Sequence, residues 1–105
     1  MECGFETIGN ATVICHDNRP VLVTDPWLAG DAYFGSWSLS HEIPPEQLDN
    51  IKKCEFVWVS HGHPDHLDVP SLKSLQGKKI LIPKDNKTRP LKDLMKESIF
   101  NILQH

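Results

Sequence analysis

An unbroken run of four apolar residues in the middle of the chain, Phe56-Val57-Trp58-Val59, constrains the fold most strongly. A run of this kind is typical of a strand that is buried on both faces of a parallel or mixed sheet. Such a strand needs neighbouring strands and covering layers, and a chain of 105 residues has room for one domain of this kind at most. We therefore expect residues 1–105 to belong to a single domain.

The segments on either side of this run carry the patterns of further strands and helices. The turn residues Asp17-Asn18-Arg19-Pro20 separate two strand-like segments and predict a hairpin. In chain order we predict strands at 5–8, 11–15 and 21–24, a helix from Pro44-Pro45 to about Lys53, the strand at 56–59, a short helix at about 70–75, a strand at 79–82, a helix that begins after Thr88, and a strand at 99–103. Hairpin strands followed by alternating helices and strands predict an α/β domain with a mixed sheet.

Charge and hydropathy argue against several classes of partner. Eleven basic and fourteen acidic residues give a net charge of -3, so there is no general electrostatic reason to expect nucleic-acid binding. No apolar stretch approaches the roughly 20 residues that span a bilayer, and the N-terminus lacks the pattern of a secretory signal. The three cysteines are widely spaced and form no CxxC pair, which is typical of reduced thiols in a cytoplasmic protein.

The residues that follow the apolar run are the strongest candidates for a functional site. His61-Gly62-His63-Pro64-Asp65-His66 is an HxHxDH pattern that chance produces on the order of once per million positions at average residue usage. Imidazole and carboxylate groups suit zinc, manganese and iron, and two such ions about 3.5–4 Å apart can activate water against an ester or phosphoester. The alternative interpretation is three surface histidines in a turn.

This pattern, together with the preceding strand that ends at Thr24-Asp25-Pro26, resembles the metallo-β-lactamase superfamily. The resemblance implies an αββα sandwich with one or two divalent ions, most typically zinc, at one edge of its two sheets. His61 and His63 would bind the first ion, and Asp65 and His66 the second, with Asp65 also handling the proton of the attacking water. Asp25 would hold the His-rich segment through hydrogen bonds; the alternative is a simple Asp-Pro turn.

Several loop segments are similar to the family of CMP-N-acetylneuraminate hydroxylase and its bacterial relatives. These segments are Asp25-Pro26-Trp27-Leu28-Ala29-Gly30, residues 37–45, Ser60 through Leu67, and Pro70-Ser71-Leu72-Lys73. The similarity extends more loosely to N-acylphosphatidylethanolamine phospholipase D and ascorbate-6-phosphate lactonase. Trp27, Trp37 and His41 lie in the long loop at 25–41, which is rich in glycine and aromatic residues, and are candidate substrate-binding residues. Aromatic packing is an equally good interpretation of the two tryptophans, and a solvated loop histidine is the better interpretation of His41.

The chain departs from this family pattern in two respects. It has no paired Cys-x-His and Cys-x-x-His ligands for a Rieske cluster, so electrons for an oxygenase would come from a separate partner. After His66 it contains only one histidine, His105, whereas the superfamily takes further ligands from a second half of the domain. We therefore expect the chain to be the N-terminal half of a sandwich, with an exposed inner sheet face through which a homodimer could form.

The leading functional hypothesis is a hydrolase that uses a metal-activated water against a phosphoester, lactone or amide of a small sugar- or nucleotide-type substrate. The first alternative is an iron-dependent hydroxylase related to the sialic-acid enzyme. The second alternative is a non-catalytic fragment or assembly module that keeps part of the motif.

Overall fold

A single mixed sheet dominates the chain in the computed structural model, which describes residues 2–28, 30–33, 35–40, 42–63, 65–83 and the backbone of 101–104. The elements are β1 (Cys3–Gly9), β2 (Thr12–Asp17), β3 (Pro20–Thr24), β4 (Asp31–Ala32), β5 (Trp37–Ser38), α1 (Pro45–Lys53), β6 (Phe56–Trp58), α2 (Val69–Lys73), β7 (Lys79–Ile82) and β8 (Asn101–Gln104). Six strands form the main sheet in the order β1-β2-β3-β6-β7-β8, and β4 pairs with β5 in a small separate ribbon.

The strand directions bring several loops to one edge of the sheet. β2 is antiparallel to both β1 and β3, whereas β3, β6, β7 and β8 are parallel to one another. All main-sheet strands except β2 therefore run in the same direction, and their carboxyl ends lie at one edge. This arrangement confirms the predicted α/β fold with a mixed sheet, and no helix in the described part of the chain is long and apolar enough to cross a membrane.

Most predicted elements are present with small shifts of their ends. The β2–β3 hairpin, α1 and β7 are confirmed, α2 occupies 69–73 instead of 70–75, and β8 overlaps the strand predicted at 99–103. The long loop after β3 contains the β4–β5 ribbon, which the sequence did not predict because its strands have two residues each. The helix predicted after Thr88 lies outside the described residues.

Local side chains explain where the two helices begin. α1 begins with Pro45, which suits the first turn because the amide hydrogen that proline lacks has no partner inside the helix there. α2 is capped by Asp68, whose carboxylate accepts hydrogen bonds from the backbone amide of Ser71 at 3.2 Å and from its hydroxyl at 2.5 Å. The backbone amide of Leu28 in turn donates to the Ser71 hydroxyl at 2.9 Å, which ties the loop after β3 to α2.

The core lies between one face of the sheet and the two helices. Ile14, Val23, Val57 and Ile80 are aligned across adjacent strands on this face and are fully buried, in one cluster with Ile51 of α1 and Leu72 of α2. The residues between them in each strand point to the opposite face. There Phe56 and Trp58 are only partly buried. The prediction that the strand at 56–59 is buried on both faces is therefore wrong within the described residues, because α1 and α2, the two helices that the structure describes, cover only one face.

Candidate functional site

The carboxyl edge of the sheet gathers three segments that are far apart in the sequence. Asn10 follows β1, Asp25 follows β3, and Ser60 and His61 follow β6. Because the carboxyl ends of strands that run in the same direction meet at one edge, the loops after them form a common surface, which is where ligands bind in open α/β sheets. The His-rich segment, residues 60–66, lies at the centre of this surface.

The structure brings the four predicted metal ligands into contact with one another. Nε2 of His61 lies 3.1 Å from Nδ1 of His63, and the rings of His61 and His66 have centroids 4.1 Å apart. Nε2 of His66 lies 3.4 Å from Oδ2 of Asp65. Two ligands bound tetrahedrally to zinc at about 2.0–2.1 Å are roughly 3.3 Å apart, so these pairwise spacings suit a shared ion.

The donor atoms are not, however, arranged as a ready metal site. Within the part of the chain that the structure describes, no group of three or more histidine, cysteine, aspartate or glutamate side chains surrounds a common point. His61 instead contacts His63 through Nε2 and the hydroxyl of Ser60 through Nδ1, at 2.8 Å. The donor types and pairwise distances therefore fit a divalent ion, whereas the present rotamers do not enclose one.

His66 contributes a buried nitrogen that lacks a hydrogen-bond partner. Its Nδ1 lies 3.1 Å from Oδ2 of Asp25, but the angle does not make a hydrogen bond, so this nitrogen remains unsatisfied. A small rotation of the imidazole that aligned Nδ1–H with Asp25 would satisfy both groups. In that tautomer Nε2, on the side of Asp65, would be unprotonated and its lone pair would be available to a metal ion. This is the tautomer of a histidine ligand whose Nδ1–H is held by a carboxylate.

Asp25 connects the end of β3 to the start of the His-rich segment. Its carboxylate is buried and accepts hydrogen bonds from the backbone amide of Ser60 at 2.7 Å and from its hydroxyl at 2.9 Å. Its backbone carbonyl accepts from the hydroxyl of Thr12 at 2.8 Å. This buried network is more than an Asp-Pro turn requires. Its support of bound metal ligands stays a prediction.

Two residues that the sequence did not connect with the motif hold the carboxylate of Asp65, which is only 5% exposed. Nδ2 of Asn10 donates to Oδ2 of Asp65 at 3.1 Å and to its backbone carbonyl at 3.0 Å. The hydroxyl of Tyr33 donates to Oδ1 at 2.9 Å. Nothing local in the sequence signals these contacts, because Asn10 and Tyr33 lie 55 and 32 positions before Asp65.

These surroundings shift the ionisation of the cluster. Burial lowers the pKa of His61, and repulsion from the neighbouring imidazoles of His66 and His63 lowers it further. Burial raises the pKa of Asp65, but the hydrogen bonds from Asn10 and Tyr33 and the nearby His66 outweigh it, so the net pKa lies below its ordinary value. A neutral imidazole beside an ionised carboxylate is the protonation state that a metal ion requires.

The candidate substrate-binding residues are placed differently from one another. Trp27 is 3% exposed and donates through Nε1 to the carbonyl of Gly30 at 3.2 Å, as a packing residue would. Trp37 is 51% exposed and packs against the ring of Tyr33 with centroids 5.1 Å apart. Both tryptophans and Asn10 line a small cavity of about 200 Å³. His41 lies outside the described residues.

Part of the chain is similar to proteins named as hydroxylases of a CMP-linked sugar. No family model matches the chain. It is 41% identical over 63 residues, 60% of its length, to cytidine monophosphate-N-acetylneuraminic acid hydroxylase of Asterias rubens. It is 42% identical over 62 residues, 59% of its length, to the Homo sapiens protein named as an inactive form of that hydroxylase and to the hydroxylase of Pongo pygmaeus.

The matched region is a small part of each relative. It covers 10% of the Asterias rubens protein, 12% of the Homo sapiens protein and 11% of the Pongo pygmaeus protein. The similarity predicted from the loop segments is thereby confirmed at the level of homology. Over about three fifths of its length, this chain is homologous to a short region of proteins named as CMP-N-acetylneuraminic acid hydroxylases.

Proposed function

We propose that this chain forms the metal-binding part of an enzyme that hydroxylates a CMP-linked sugar. One observation carries the proposal: three histidines and a buried aspartate are in contact at the carboxyl edge of the sheet, in a chain that is 41% identical over 63 residues to a protein named as such a hydroxylase. The substrate class is taken from the names of the relatives, and the contacts supply the chemical reason for a metal at this position.

The side chains divide into two neighbouring pairs. His61 and His63 would hold one divalent ion, and Asp65 and His66 would hold a second ion or complete the same site, with Asp25 orienting His66. A bound ion supplies a Lewis acid, and iron in particular supplies a redox centre. Zinc, the metal most expected from the motif, supports hydrolysis better, whereas hydroxylation favours iron.

The chain's own residues would prepare this chemistry. Ser60 and Asp25 fix the start of the His-rich segment, the low pKa of His61 keeps its ring neutral, and Asp65 is held ionised and able to accept a proton. Hydroxylation inserts one atom of O₂ into a C–H bond and releases the other as water, which consumes two electrons and two protons. Those electrons would come from a reductant outside residues 1–105, because these residues contain no Rieske ligand pairs.

The relatives favour the hydroxylase over the hydrolase that the motif alone suggested. Every relative named above is a hydroxylase or an inactive hydroxylase by name, and none is named as a hydrolase. The hydrolase therefore remains the second candidate and rests on the HxHxDH pattern. The Homo sapiens relative is named as inactive, and a non-catalytic role is therefore the third candidate for this chain.

The wider architecture is part of the same proposal. Membership of the metallo-β-lactamase superfamily, with residues 1–105 as the N-terminal half of an αββα sandwich, would explain the sheet face that the helices leave uncovered. A homodimer through that face and a cytoplasmic location also stay proposals.

A small-molecule substrate would contact Trp37 beside the cluster, because its exposed ring is available for stacking on a base or sugar. Trp37→Ala should therefore weaken the binding of CMP, measured by calorimetric titration. Equal CMP affinity of this variant and the unsubstituted chain would remove Trp37 from the site.

The test of the function begins with the metal content of the purified chain. We expect stoichiometric iron and, with CMP-N-acetylneuraminic acid, O₂ and an artificial electron donor, a hydroxylated product. His61→Ala should lose the metal and the turnover. His16→Ala is the matched control, because His16 pairs with Glu6 at 2.7 Å and lies outside the cluster.

The other outcomes separate the candidates. Bound zinc with hydrolysis that needs no electron donor would support the hydrolase. Bound iron without turnover would support the metal-binding part of the proposal and assign the rest of the active site to residues outside 1–105. Neither stoichiometric metal nor turnover would overturn the proposal in favour of a non-catalytic module.

A further inference from the structure

We propose that Asn10 and Tyr33 are positioning residues that set the orientation of Asp65 for metal binding. Neither residue belongs to the HxHxDH pattern, and both come from loops that precede it by many residues. The inference rests on the metal-binding function proposed above and adds to it the residues that hold one ligand in place.

The contacts of the two side chains are complementary. Asn10 reaches both the carboxylate and the backbone carbonyl of Asp65, at 3.1 and 3.0 Å, so it fixes the side chain and the main chain together. Tyr33 donates to the other carboxylate oxygen at 2.9 Å. A carboxylate has about four lone-pair positions, and these two donors occupy one on each oxygen. One position on each oxygen is left for an ion or for His66.

The backbone at these positions supports a functional interpretation. Four described residues other than glycine have left-handed backbone conformations, at φ of 51° for Asn10, 62° for Asn18, 38° for Asp25 and 52° for Tyr33. Three of the four, all except Asn18, make side-chain contacts with residues 60–66. Such conformations cost free energy and cluster at functional sites, and here they aim side chains at the His-rich segment.

The positioning pair also connects the metal ligands to the nearby cavity. Asn10 lines the cavity of about 200 Å³, and Tyr33 packs on Trp37, which lines the same cavity. Asn10 therefore borders the space where a substrate would lie, and Tyr33 is connected to that space through Trp37. This connection explains why an asparagine and a tyrosine occupy strained turn positions that glycine would fill at lower cost.

The test measures the affinity of the full chain for Co²⁺ by titration of its visible absorption. Tyr33→Phe keeps the ring that packs on Trp37 and removes only the hydroxyl. Asn10→Gly removes the amide while keeping the left-handed backbone accessible. We expect each change to weaken Co²⁺ binding by about 10–100-fold, as the loss of residues that orient metal ligands does, and to alter the Co²⁺ absorption band without lowering the melting temperature.

Asn18→Gly is the matched control. It is the same substitution at the same kind of left-handed turn position, but at the opposite end of β2, and it should leave the Co²⁺ affinity within about twofold, below the 10–100-fold loss of a ligand-orienting residue. Because Asn10→Gly introduces no backbone strain, the test does not depend on the folding of the tyrosine variant.

The outcomes distinguish this inference from the function on which it rests. Tight Co²⁺ binding by the unsubstituted chain and equal binding by both variants would overturn the positioning role and leave the proposed metal site intact. Equal weakening in Asn18→Gly would assign the effect to turn stability and would also overturn it. Failure of the unsubstituted chain to bind Co²⁺ would overturn the proposed function and this inference together.

Discussion

The two faces of the main sheet are built from the same strands but are buried to different extents. On the face that α1 and α2 cover, Ile14, Val23, Val57 and Ile80 are fully buried. On the opposite face, Val13, Leu22, Phe56, Trp58 and Leu81 are only partly buried and Phe5 is 68% exposed. Residues adjacent along each strand point to opposite faces, so the two faces share one backbone and differ in the layer that covers them.

The difference shows that the sheet carries more apolar surface than α1 and α2 cover, within the part of the chain that the structure describes. Burial of apolar surface contributes roughly 25 cal/mol per Å², so covering this face, with its three aromatic side chains, would add further stabilisation. A contiguous apolar surface of this kind is typical of an interaction surface. We call these two surfaces the covered face and the bare face, and four predictions test the contrast between them.

The largest expected effect is on stability. Ile14→Ala on the covered face should lower the free energy of unfolding by about 2–5 kcal/mol, because it leaves a cavity in a fully buried site. Leu22→Ala on the bare face should cost about half of that or less, since its side chain is already partly hydrated. Urea unfolding followed by circular dichroism measures both. Equal losses would mean that the bare face is buried in solution.

The second prediction compares the alkylation rates of the chain's own cysteines and needs no substitution. Burial raises the pKa of Cys54 to about 11, and this residue packs in the core beneath the covered face. Its thiolate is therefore scarce at pH 8, and alkylation should be roughly two orders of magnitude slower than at an exposed thiol of ordinary pKa. Cys3 is exposed and serves as the internal reference.

Mass spectrometry of alkylated peptides measures the three rates separately. Cys15 lies on the bare face and should react at an intermediate rate, faster than Cys54. The rate at Cys54 should rise about tenfold per pH unit as its thiolate fraction increases. Protection of Cys15 as strong as that of Cys54 would contradict the contrast between the faces.

The third prediction concerns self-association through the bare face. Leu22→Lys places a charge at its centre and should weaken a homodimer by about tenfold, equivalent to 1.4 kcal/mol, because a charge buried without a partner is costly. Sedimentation velocity over a range of concentrations measures the effect. Ser36→Lys adds the same charge in an exposed loop and should change nothing; a monomer in every variant would exclude the dimer.

The smallest expected effect comes from a polar contact at the margin of the covered face. The carboxylate of Glu6 contacts His16 at 2.7 Å and accepts from Asn50 of α1 at 3.0 Å. The hydrogen bond with His16 is the main cause that holds the pKa of Glu6 below its ordinary value of 4.5. The stabilisation from the ionised Glu6 carboxylate is present above about pH 4.5, and it is lost as the pH falls through the lower pKa that Glu6 has in the folded chain.

Glu6→Gln should therefore lower the free energy of unfolding by about 1 kcal/mol or less at pH 7 and should have no effect at pH 3. Denaturant unfolding across this range measures the difference. A deficit that persisted at pH 3 would show that packing against α1, and not the charge of Glu6, stabilises this margin.

The sequence by itself determined the elements whose causes are local. The turn residues at 17–20 predicted the β2–β3 hairpin, Pro45 predicted the start of α1, and the HxHxDH pattern identified the candidate ligands. These predictions rest on backbone sterics, hydrogen-bonding groups and side-chain chemistry, which act over a few residues. For the same reason the ribbon of β4 and β5 was missed, because two-residue strands carry no periodic pattern.

Only the tertiary structure decided which surfaces and side chains complete the site. The run at 56–59 contains apolar residues on both sides of the strand, and the placement of the helices decided that Val57 and Val59 are buried while Phe56 and Trp58 remain partly exposed. Likewise, the parallel pairing of β3 and β6 and the direction of β1 brought Asn10 and Tyr33 onto Asp65. Contacts between residues 55 and 32 positions apart depend on sheet order, and an isolated asparagine or tyrosine carries no local signal of the partner that the sheet assigns to it.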